Sequence, residues 1–223
     1  MENYTKKIYN NNNLKNCERS KAEGNVKKMK GNMKLYKIKL REKYRKIREN
    51  LKPYYQKIMD EKILRKLTSL RKYKNSNIIF TYISKNIEVD TYGIIKKCWK
   101  DGKKVAAPTC DKETRTMKFY FINSFEDLQK GTFGLMEPNE EKCEEVRDFS
   151  QGLCIVPGFS FDFNAYRLGY GYGYYDRFLQ HFSGTTVGIC YSNCIAQNLP
   201  HGRYDKPVDI VVTNSYIKEF NYR

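Results

Sequence analysis

The first third of the chain carries apolar residues at helical spacing. One stripe consists of Leu40, Tyr44, Ile47 and Leu51. Intervals of three and four residues place these side chains on one face of an amphipathic helix. Pro53 ends this helix or begins the next as a first-turn residue, and a second stripe from Ile58 to Leu70 continues the helical pattern to about Lys72. The spacing therefore predicts N-terminal helices.

From Asn75 onward, short apolar runs alternate with helical stretches. The predicted strands are Ile78–Ile83, Lys104–Ala107, Lys118–Ile122, Gly152–Val156, Thr186–Tyr191 and Val208–Thr213. The predicted helices are Thr91–Trp99, Ser124–Gln129 and Tyr174–His181. The runs CIVP and DIVV are apolar without alternation, as expected of strands covered on both faces. This order predicts an α/β fold, a three-layer α/β/α sandwich around a mostly parallel mixed sheet, preceded by N-terminal helices.

The chain begins with a segment of different composition. Residues 1–32 are rich in Asn and Lys and have almost no apolar content. Such a composition cannot offset the entropy lost on ordering, so we predict a disordered basic extension. The helical pattern starts at about Met33, and residues 33–223 are predicted to form one folded domain.

The excess of positive charge lies entirely in the first third of the chain. Residues 1–74 carry 24 Lys and Arg against 7 Asp and Glu, whereas residues 75–223 carry 18 of each. A basic arm can bind RNA or an acidic membrane surface, but a charge run is more often a solvated face. No RNP-type motif accompanies it, so the pattern favours the solvated face over a nucleic-acid partner.

Cysteine usage and hydropathy bear on the compartment. The seven cysteines include no C-x-x-C pair, and with two histidines they outline no zinc site, so we expect a reducing environment. No run approaches the ~18 apolar residues of a membrane span, and the N-terminus lacks the apolar core of a secretory signal. We expect a cytoplasmic monomer without a membrane partner, although the basic N-terminus leaves an organellar address open.

The most informative segment is VPGFSFDFNAYRLGYGYGYYDRFLQHF, from Val156 to Phe182. A buried strand ends at Pro157-Gly158, and glycines follow at positions 169, 171 and 173 before a predicted helix. Alternating glycines let backbone N–H groups approach phosphate oxygens, beyond the strand ends where α/β proteins bind ligands. The alternative is a tight loop whose glycines only satisfy positive φ. The segment matches neither the Rossmann nor the P-loop pattern.

A row of cations shares one face of the first helix. Its members are Lys37, Arg41, Arg45 and Arg48, at intervals of four, four and three residues. Such a row can clamp a triphosphate, or it can be a solvated face.

Three carboxylates could join the glycine segment in a binding site. Asp176 could hold a metal ion. Asp90 or Thr91 could cap the helix that follows, which is the interpretation that the residues alone favour. Glu88, which follows a strand, could instead hydrogen-bond a heterocycle. Asp209 begins an apolar strand, where an unpaired carboxylate is costly, so it is a cap, an ion-paired residue or a metal ligand.

Together these segments resemble the 5-formyltetrahydrofolate cyclo-ligase family, also called methenyltetrahydrofolate synthetases. The family pattern P-G, F-D, R-L-G-x-G-x-G-Y-Y-D-R reads here as Pro157-Gly158, Phe161-Asp162 and Arg167 to Arg177. Shorter elements match in order: K-x-x-x-R at Lys37 and Arg41, E-x-x-T at Glu88 and Thr91, G-x-x-E-P at Gly134 to Pro138, and V-D at Val208-Asp209. Tyr172 and Ala165 depart from the family's usual residues. The resemblance spans roughly Lys34 to Asn214, so it assigns residues 33–223 to a catalytic domain.

The resemblance implies an enzyme that uses ATP and Mg²⁺ to convert 5-formyltetrahydrofolate to 5,10-methenyltetrahydrofolate, ADP and phosphate through a phosphorylated formyl group. It also implies a fold of the sugar-phosphate isomerase and CoA-transferase class. The implied ATP-binding residues are Lys37, Arg41, Arg167, Leu168, Gly169, Tyr170, Gly171, Tyr172, Gly173, Tyr174 and Tyr175. The implied folate-binding residues are Tyr82, Ile83, Glu88, Phe133, Tyr170 and Tyr174, and the implied magnesium ligands are Asp176 and Asp209.

Two other functions remain open at this point. A sugar-phosphate isomerase could use the same loop for a single phosphate, without ATP. An RNA-binding protein on a degenerate enzyme scaffold could use the basic first third, and its binding would weaken with salt.

Overall fold

The structure is a computed structural model that describes residues 32–131 and 134–220. The described residues fall into two units, which divide between Leu40 and Arg41. Residues 1–31 of the predicted extension and Phe133 lie outside the described residues, so the predicted disorder and its boundary stay predictions. No helix in the described part of the chain is long and apolar enough to cross a membrane.

Five α-helices are described, and the first two are the predicted N-terminal helices. Residues 32–49 are helical and form α1, and the boundary between the two units falls within this stretch. The others are α2 (Pro53–Ser69), α3 (Arg71–Asn75), α4 (Thr91–Lys100) and α5 (Tyr174–Phe178). Pro53 occupies the first turn of α2, where its missing N–H costs nothing. Asp90 caps α4, because its carboxylate accepts from the N–H groups of Tyr92 and Gly93.

A seven-stranded, mostly parallel sheet forms the centre of the larger unit. Its strands are β1 (Ile78–Phe80), β2 (Lys104–Cys110), β3 (Met117–Ile122), β6 (Leu153–Val156), β9 (Thr185–Cys190), β11 (Ile210–Thr213) and β12 (Ile217–Glu219). Their order is β12-β11-β9-β6-β1-β2-β3, and only the edge strands β3 and β12 run antiparallel to their neighbours. Each of the six predicted strands lies in this sheet, and the α/β prediction is confirmed. Helices α2 and α4 pack on it, against β11 and β2.

Two smaller sheets were not predicted from the sequence. One has the order β10-β7-β8 and consists of Ile195–Ala196, Ser160–Asp162 and Arg167–Leu168; the other pairs β4 (Leu128–Lys130) with β5 (Met136–Pro138). The predicted helix Ser124–Gln129 is wrong. A 3₁₀ turn covers only Phe125–Asp127, because the capping box between Ser124 and Asp127 closes after one turn and the chain continues into β4.

Aromatic rings fill the core beside β1. Phe80 is fully buried and lies 5.3 Å from Phe119 and 5.2 Å from Phe182, measured between ring centroids. Phe178 of α5 lies 4.6 Å from Phe119. The short helix that follows the glycines is therefore anchored to the sheet by its own phenylalanine.

Gly188 gives a test of how the segment after β6 is packed. It lies in β9 against the ring of Phe161, where an added Cβ would stand 2.3 Å from Cε1. Gly188→Ala forces the Phe161 ring and β7 to move, so we expect the free energy of unfolding to fall by about 1–3 kcal/mol in urea titrations. Gly202→Ala is the matched control, since nothing lies within 4 Å of its added Cβ. Equal stability of the two variants would contradict this packing.

Candidate active site

A cleft of about 600 Å³ opens beyond the carboxyl ends of β1 and β6. Tyr82 and Pro157, which follow these two strands, form part of its wall. This is the edge of an open α/β sheet at which ligands bind. The charged residues that line the cleft are Arg41, Arg45, Lys85, Glu88, Glu137, Arg167 and Asp176.

Residues 169–173, called the glycine loop below, form one side of the cleft. Gly171 and Gly173 have φ values of 103° and 74°, in the left-handed region that favours glycine. The Nε atom of Arg41 donates to the carbonyl of Gly169 at 2.7 Å. The same guanidinium covers Gly171, where an added Cβ would lie 3.2 Å from Nη2. Backbone and cation thus meet at one place, as in a site for phosphate oxygens.

An ion pair ties the start of the glycine loop to the helix after it. The Nη2 atom of Arg167 donates to Oδ1 of Asp176, and Nη1 donates to the carbonyl of Lys206 at 3.2 Å. Arg167 is buried, whereas the Asp176 side chain is 29% exposed. Asp176 therefore presents carboxylate surface to the cleft while its partner fixes its position.

Glu88 lies within hydrogen-bonding reach of the glycine loop. Its Oε1 accepts from the hydroxyl of Tyr170, and its Oε2 accepts from the backbone N–H of Lys85 at 2.8 Å. Glu88 is buried. Burial and the neighbouring Glu88 charge raise the pKa of Tyr170, so this hydroxyl stays protonated and donates. The pair places a carboxylate next to the predicted phosphate site.

Most of the other predicted site residues also line the cleft. They are Tyr82, Ile83, Tyr170, Tyr172, Tyr174 and Tyr175. The hydroxyl of Tyr174 donates to the carbonyl of Asp111 at 3.0 Å, which joins α5 to the segment after β2. Burial raises the pKa of Tyr175 far above its ordinary value, so that phenol stays neutral.

Lys37 belongs to the first unit and is described with it. Two further predicted site residues, Leu168 and Asp209, are not among the residues that line the cleft. Leu168 is buried in the hairpin β7–β8. Asp209 is level with Thr186 on the neighbouring strand, and its Oδ2 accepts from both the N–H and the hydroxyl of Thr186 at 2.8 Å. It therefore lies at the amino-terminal end of β9, and it is not among the residues that line the cleft.

Several residues that line the cleft are not among the implied ATP, folate or magnesium residues. Arg45 belongs to the row of cations on α1, and its guanidinium carbon lies 5.8 Å from the ring centre of Phe159. Glu137 belongs to the G-x-x-E-P element, which therefore carried a signal, whereas nothing in the sequence singled out Lys85.

Arg48 supports the cleft from behind. It is 3% exposed, and its Nη2 donates to the carbonyls of Gly158 at 2.5 Å and Phe159 at 3.0 Å. Its Nη1 donates to the carbonyl of Ile87 at 3.4 Å. These carbonyls belong to the segment after β6 and to the residue before Glu88, so one guanidinium holds both sides of the cleft in place relative to each other.

Comparison with known proteins identifies the family. The sequence model of the 5-formyltetrahydrofolate cyclo-ligase family matches residues 33–214. The chain belongs to this family. Curated 5-formyltetrahydrofolate cyclo-ligases are similar to it: that of Mus musculus is 29% identical over 161 residues, 67% of this chain and 79% of its own. That of Haemophilus influenzae is 28% identical over 179 residues, 78% of this chain and 95% of its own.

A solved structure of the cyclo-ligase family supports the same conclusion. The NMR structure of Aquifex aeolicus 5,10-methenyltetrahydrofolate synthetase is 35% identical, covers 82% of this chain and 92% of its own, and superposes with a TM-score of 0.71. The membership makes the chain a ligase of folate metabolism, and the family resemblance drawn from the glycine segment is confirmed.

Proposed function

We infer that this member of the cyclo-ligase family converts 5-formyltetrahydrofolate and ATP to 5,10-methenyltetrahydrofolate, ADP and phosphate. The observation that carries the inference is the joint presence, in one cleft, of the glycine loop with Arg41 and Arg167 and of the Glu88–Tyr170 pair. The glycine loop with its two arginines suits a polyphosphate. The Glu88–Tyr170 pair suits the N–H edge of a heterocycle. Two substrates of these classes have to meet in this reaction.

The formyl oxygen is a poor leaving group, and transfer of the γ-phosphoryl group to it makes departure as phosphate feasible. Such a transfer depends on positioning and on charge neutralisation. Arg41 and Arg167 supply the positive charge, and Gly171 and Gly173 bring backbone close to the phosphates. Lys37, predicted from the K-x-x-x-R element, is proposed as a further phosphate contact.

The folate is proposed to lie with its pterin edge on Glu88. An ionised carboxylate has two acceptor oxygens, and the amino group and adjacent ring N–H of a pterin are two parallel donors. Tyr82, Ile83 and Tyr174 then form the wall beside the ring, and Phe133 is proposed to join them. Tyr170 links this half of the cleft to the glycine loop through its bond to Glu88.

Magnesium is proposed to bind at Asp176. No group of three or more His, Cys, Asp or Glu side chains suited to a metal occurs among residues 32–131 and 134–220. Mg²⁺ usually takes one or two carboxylates together with phosphate oxygens and water, so Asp176 beside the glycine loop fits this ion. When bound, the ion supplies neutralisation of the triphosphate charge. Asp209, held by Thr186 outside the cleft, does not offer the same fit.

An absorbance assay tests the whole proposal. Formation of 5,10-methenyltetrahydrofolate is followed in the near ultraviolet with the complete chain, with and without ATP and with and without Mg²⁺. We expect turnover only when both are present, with one ADP formed per product. Absence of product with both present would overturn the proposal, and salt-dependent RNA binding without turnover would favour an RNA-binding protein.

A further inference from the structure

Glu88 belongs to a part of the chain that has neither helix nor strand. Residues 84–90, called the Glu88 loop below, connect the end of β1 with α4. Backbone groups in such a segment lack the regular partners of a sheet or a helix, so they have to find other hydrogen bonds. The contacts that hold this loop therefore decide where the Glu88 carboxylate lies in the cleft.

Three successive carbonyls of the Glu88 loop accept hydrogen bonds from side chains of other elements. The bonds run from Gln56 Nε2 to Asn86 at 2.8 Å, from Arg48 Nη1 to Ile87 at 3.4 Å and from the Tyr191 hydroxyl to Glu88 at 3.2 Å. The bond to Glu88 itself thus comes from Tyr191, the residue that follows β9. Tyr191 is fully buried and is not among the residues that line the cleft.

The Tyr191 hydroxyl is fixed in turn by Asp60 of α2. It donates to Oδ1 of Asp60 at 2.8 Å, and the same oxygen accepts from the backbone N–H of Asp90 at 3.3 Å. Burial raises the pKa of Asp60 to about 6, so this carboxylate is mainly ionised at neutral pH. Burial and the Asp60 charge raise the pKa of Tyr191, so its hydroxyl stays protonated. The contact is therefore a charge-assisted hydrogen bond, which is stronger than a neutral one.

We propose that Asp60 and Tyr191 are positioning residues for the folate: Asp60 holds the Tyr191 hydroxyl against the Glu88 carbonyl, and this contact aims the Glu88 carboxylate at the pterin edge. The inference rests on the proposed function and adds two residues that do not touch substrate. Small displacements of a binding group reduce its contribution, so the second layer of contacts matters.

The two halves of the cleft should respond differently to the loss of this contact. The folate is proposed to bind on Glu88, whose loop loses a support. The phosphates are proposed to bind at the glycine loop, which keeps its bond from Arg41 and its ion pair between Arg167 and Asp176. A defect confined to the folate is therefore the signature of positioning.

Tyr191→Phe is the first test, because it removes one hydroxyl from a buried ring and leaves the ring in place. We expect the KM for 5-formyltetrahydrofolate to rise roughly three- to tenfold and the KM for ATP to stay within about twofold. Initial rates with each substrate varied in turn give both constants. Equilibrium titration of the full chain with 5-formyltetrahydrofolate, without ATP, should show the same loss of folate affinity.

Two variants of Asp60 test whether it acts through Tyr191. Asp60→Ala removes the acceptor and should raise the folate KM to a similar extent. Asp60→Asn retains one acceptor oxygen and should recover part of the affinity. The double variant with Tyr191→Phe should lose little more than either single variant, because residues that act through one contact are not additive.

Tyr73→Phe is the matched control. Tyr73 is also buried, and its hydroxyl donates to a carboxylate oxygen of Asp101 at 2.9 Å, but it does not line the cleft. Tyr73→Phe should lower the melting temperature and leave both KM values unchanged.

Two outcomes would overturn the inference. One is a folate KM within about twofold of the unaltered chain in both Tyr191→Phe and Asp60→Ala. The other is a parallel rise of the folate and ATP constants, which would indicate a general loosening of the fold. Failure of the proposed function is distinguishable from both, since the unaltered chain would then form no methenyltetrahydrofolate.

Discussion

Arg41→Ala is expected to raise the KM for ATP by about ten- to a hundredfold, because one charge-assisted contact to phosphate contributes roughly 1.5–3 kcal/mol. The guanidinium bonds the carbonyl of Gly169 and covers Gly171, so it is fixed where the phosphates are proposed to bind. The KM for 5-formyltetrahydrofolate should change much less, since Glu88 and the wall beside it remain. Initial rates with each substrate varied in turn give both constants.

Two further variants sharpen this test. Arg41→Lys should recover only part of the ATP affinity, because a point charge cannot reproduce the planar fork of arginine. Lys46→Ala is the control: Lys46 lies on the same helix, is exposed and pairs with Glu42, so its removal should leave both KM values unchanged. An equal rise in the two KM values of Arg41→Ala would mean that the arginine supports the loop without touching the nucleotide.

Asp176→Asn and Asp209→Asn are expected to differ sharply in their response to magnesium. Asp176→Asn should lower turnover on the order of a hundredfold and raise the Mg²⁺ concentration needed for half-maximal rate, because even residues that only support metal ligands cost roughly 10–100-fold when changed. The test is a Mg²⁺ titration of the rate at saturating ATP and folate.

Asp209→Asn should behave as a stability variant. It weakens the two bonds from Thr186, so we expect a loss of about 1–2 kcal/mol and a melting temperature lower by roughly 2–8 °C. Its Mg²⁺ requirement should stay unchanged. A raised Mg²⁺ requirement in Asp209→Asn would restore that residue as a ligand, while an unaltered requirement in Asp176→Asn would remove Asp176.

The central sheet could be predicted because its strands are apolar runs of ordinary length. Strands such as Leu153–Val156 are buried on both faces, so their sequences have no polar positions to confuse the pattern. The small strands Arg167–Leu168 and Ile195–Ala196 contain two residues each, too few to show any period. The helix predicted at Ser124–Gln129 failed because a capping box signals where a helix starts and not how far it continues.

The glycine-loop side of the cleft could be predicted because its residues are consecutive in the sequence. The segment from Arg167 to Asp176 is continuous, so the spacing of its glycines and charged residues is visible in the sequence. In the structure, most of this segment lines the cleft. Glu137 and Lys85 could not be assigned in this way, because their approach to the site depends on how β5 and the loop after β1 fold against the sheet. Asp209 illustrates a different difficulty. A carboxylate before an apolar strand looks the same in the sequence whether it binds a metal ion or hydrogen-bonds a neighbouring strand.

The contacts that define the cleft join parts of the chain that are far apart in the sequence. Arg48 reaches the carbonyl of Gly158 across 110 positions, and Arg41 reaches that of Gly169 across 128. The chain loses the entropy of closing these long loops before the contacts contribute any stability. Topologies with such long-range contacts therefore fold slowly. During synthesis, α1 leaves the ribosome before the glycine loop does. Its arginines then have no carbonyl acceptors until the glycine loop has been synthesised. The cleft is therefore expected to be among the last parts of the domain to form.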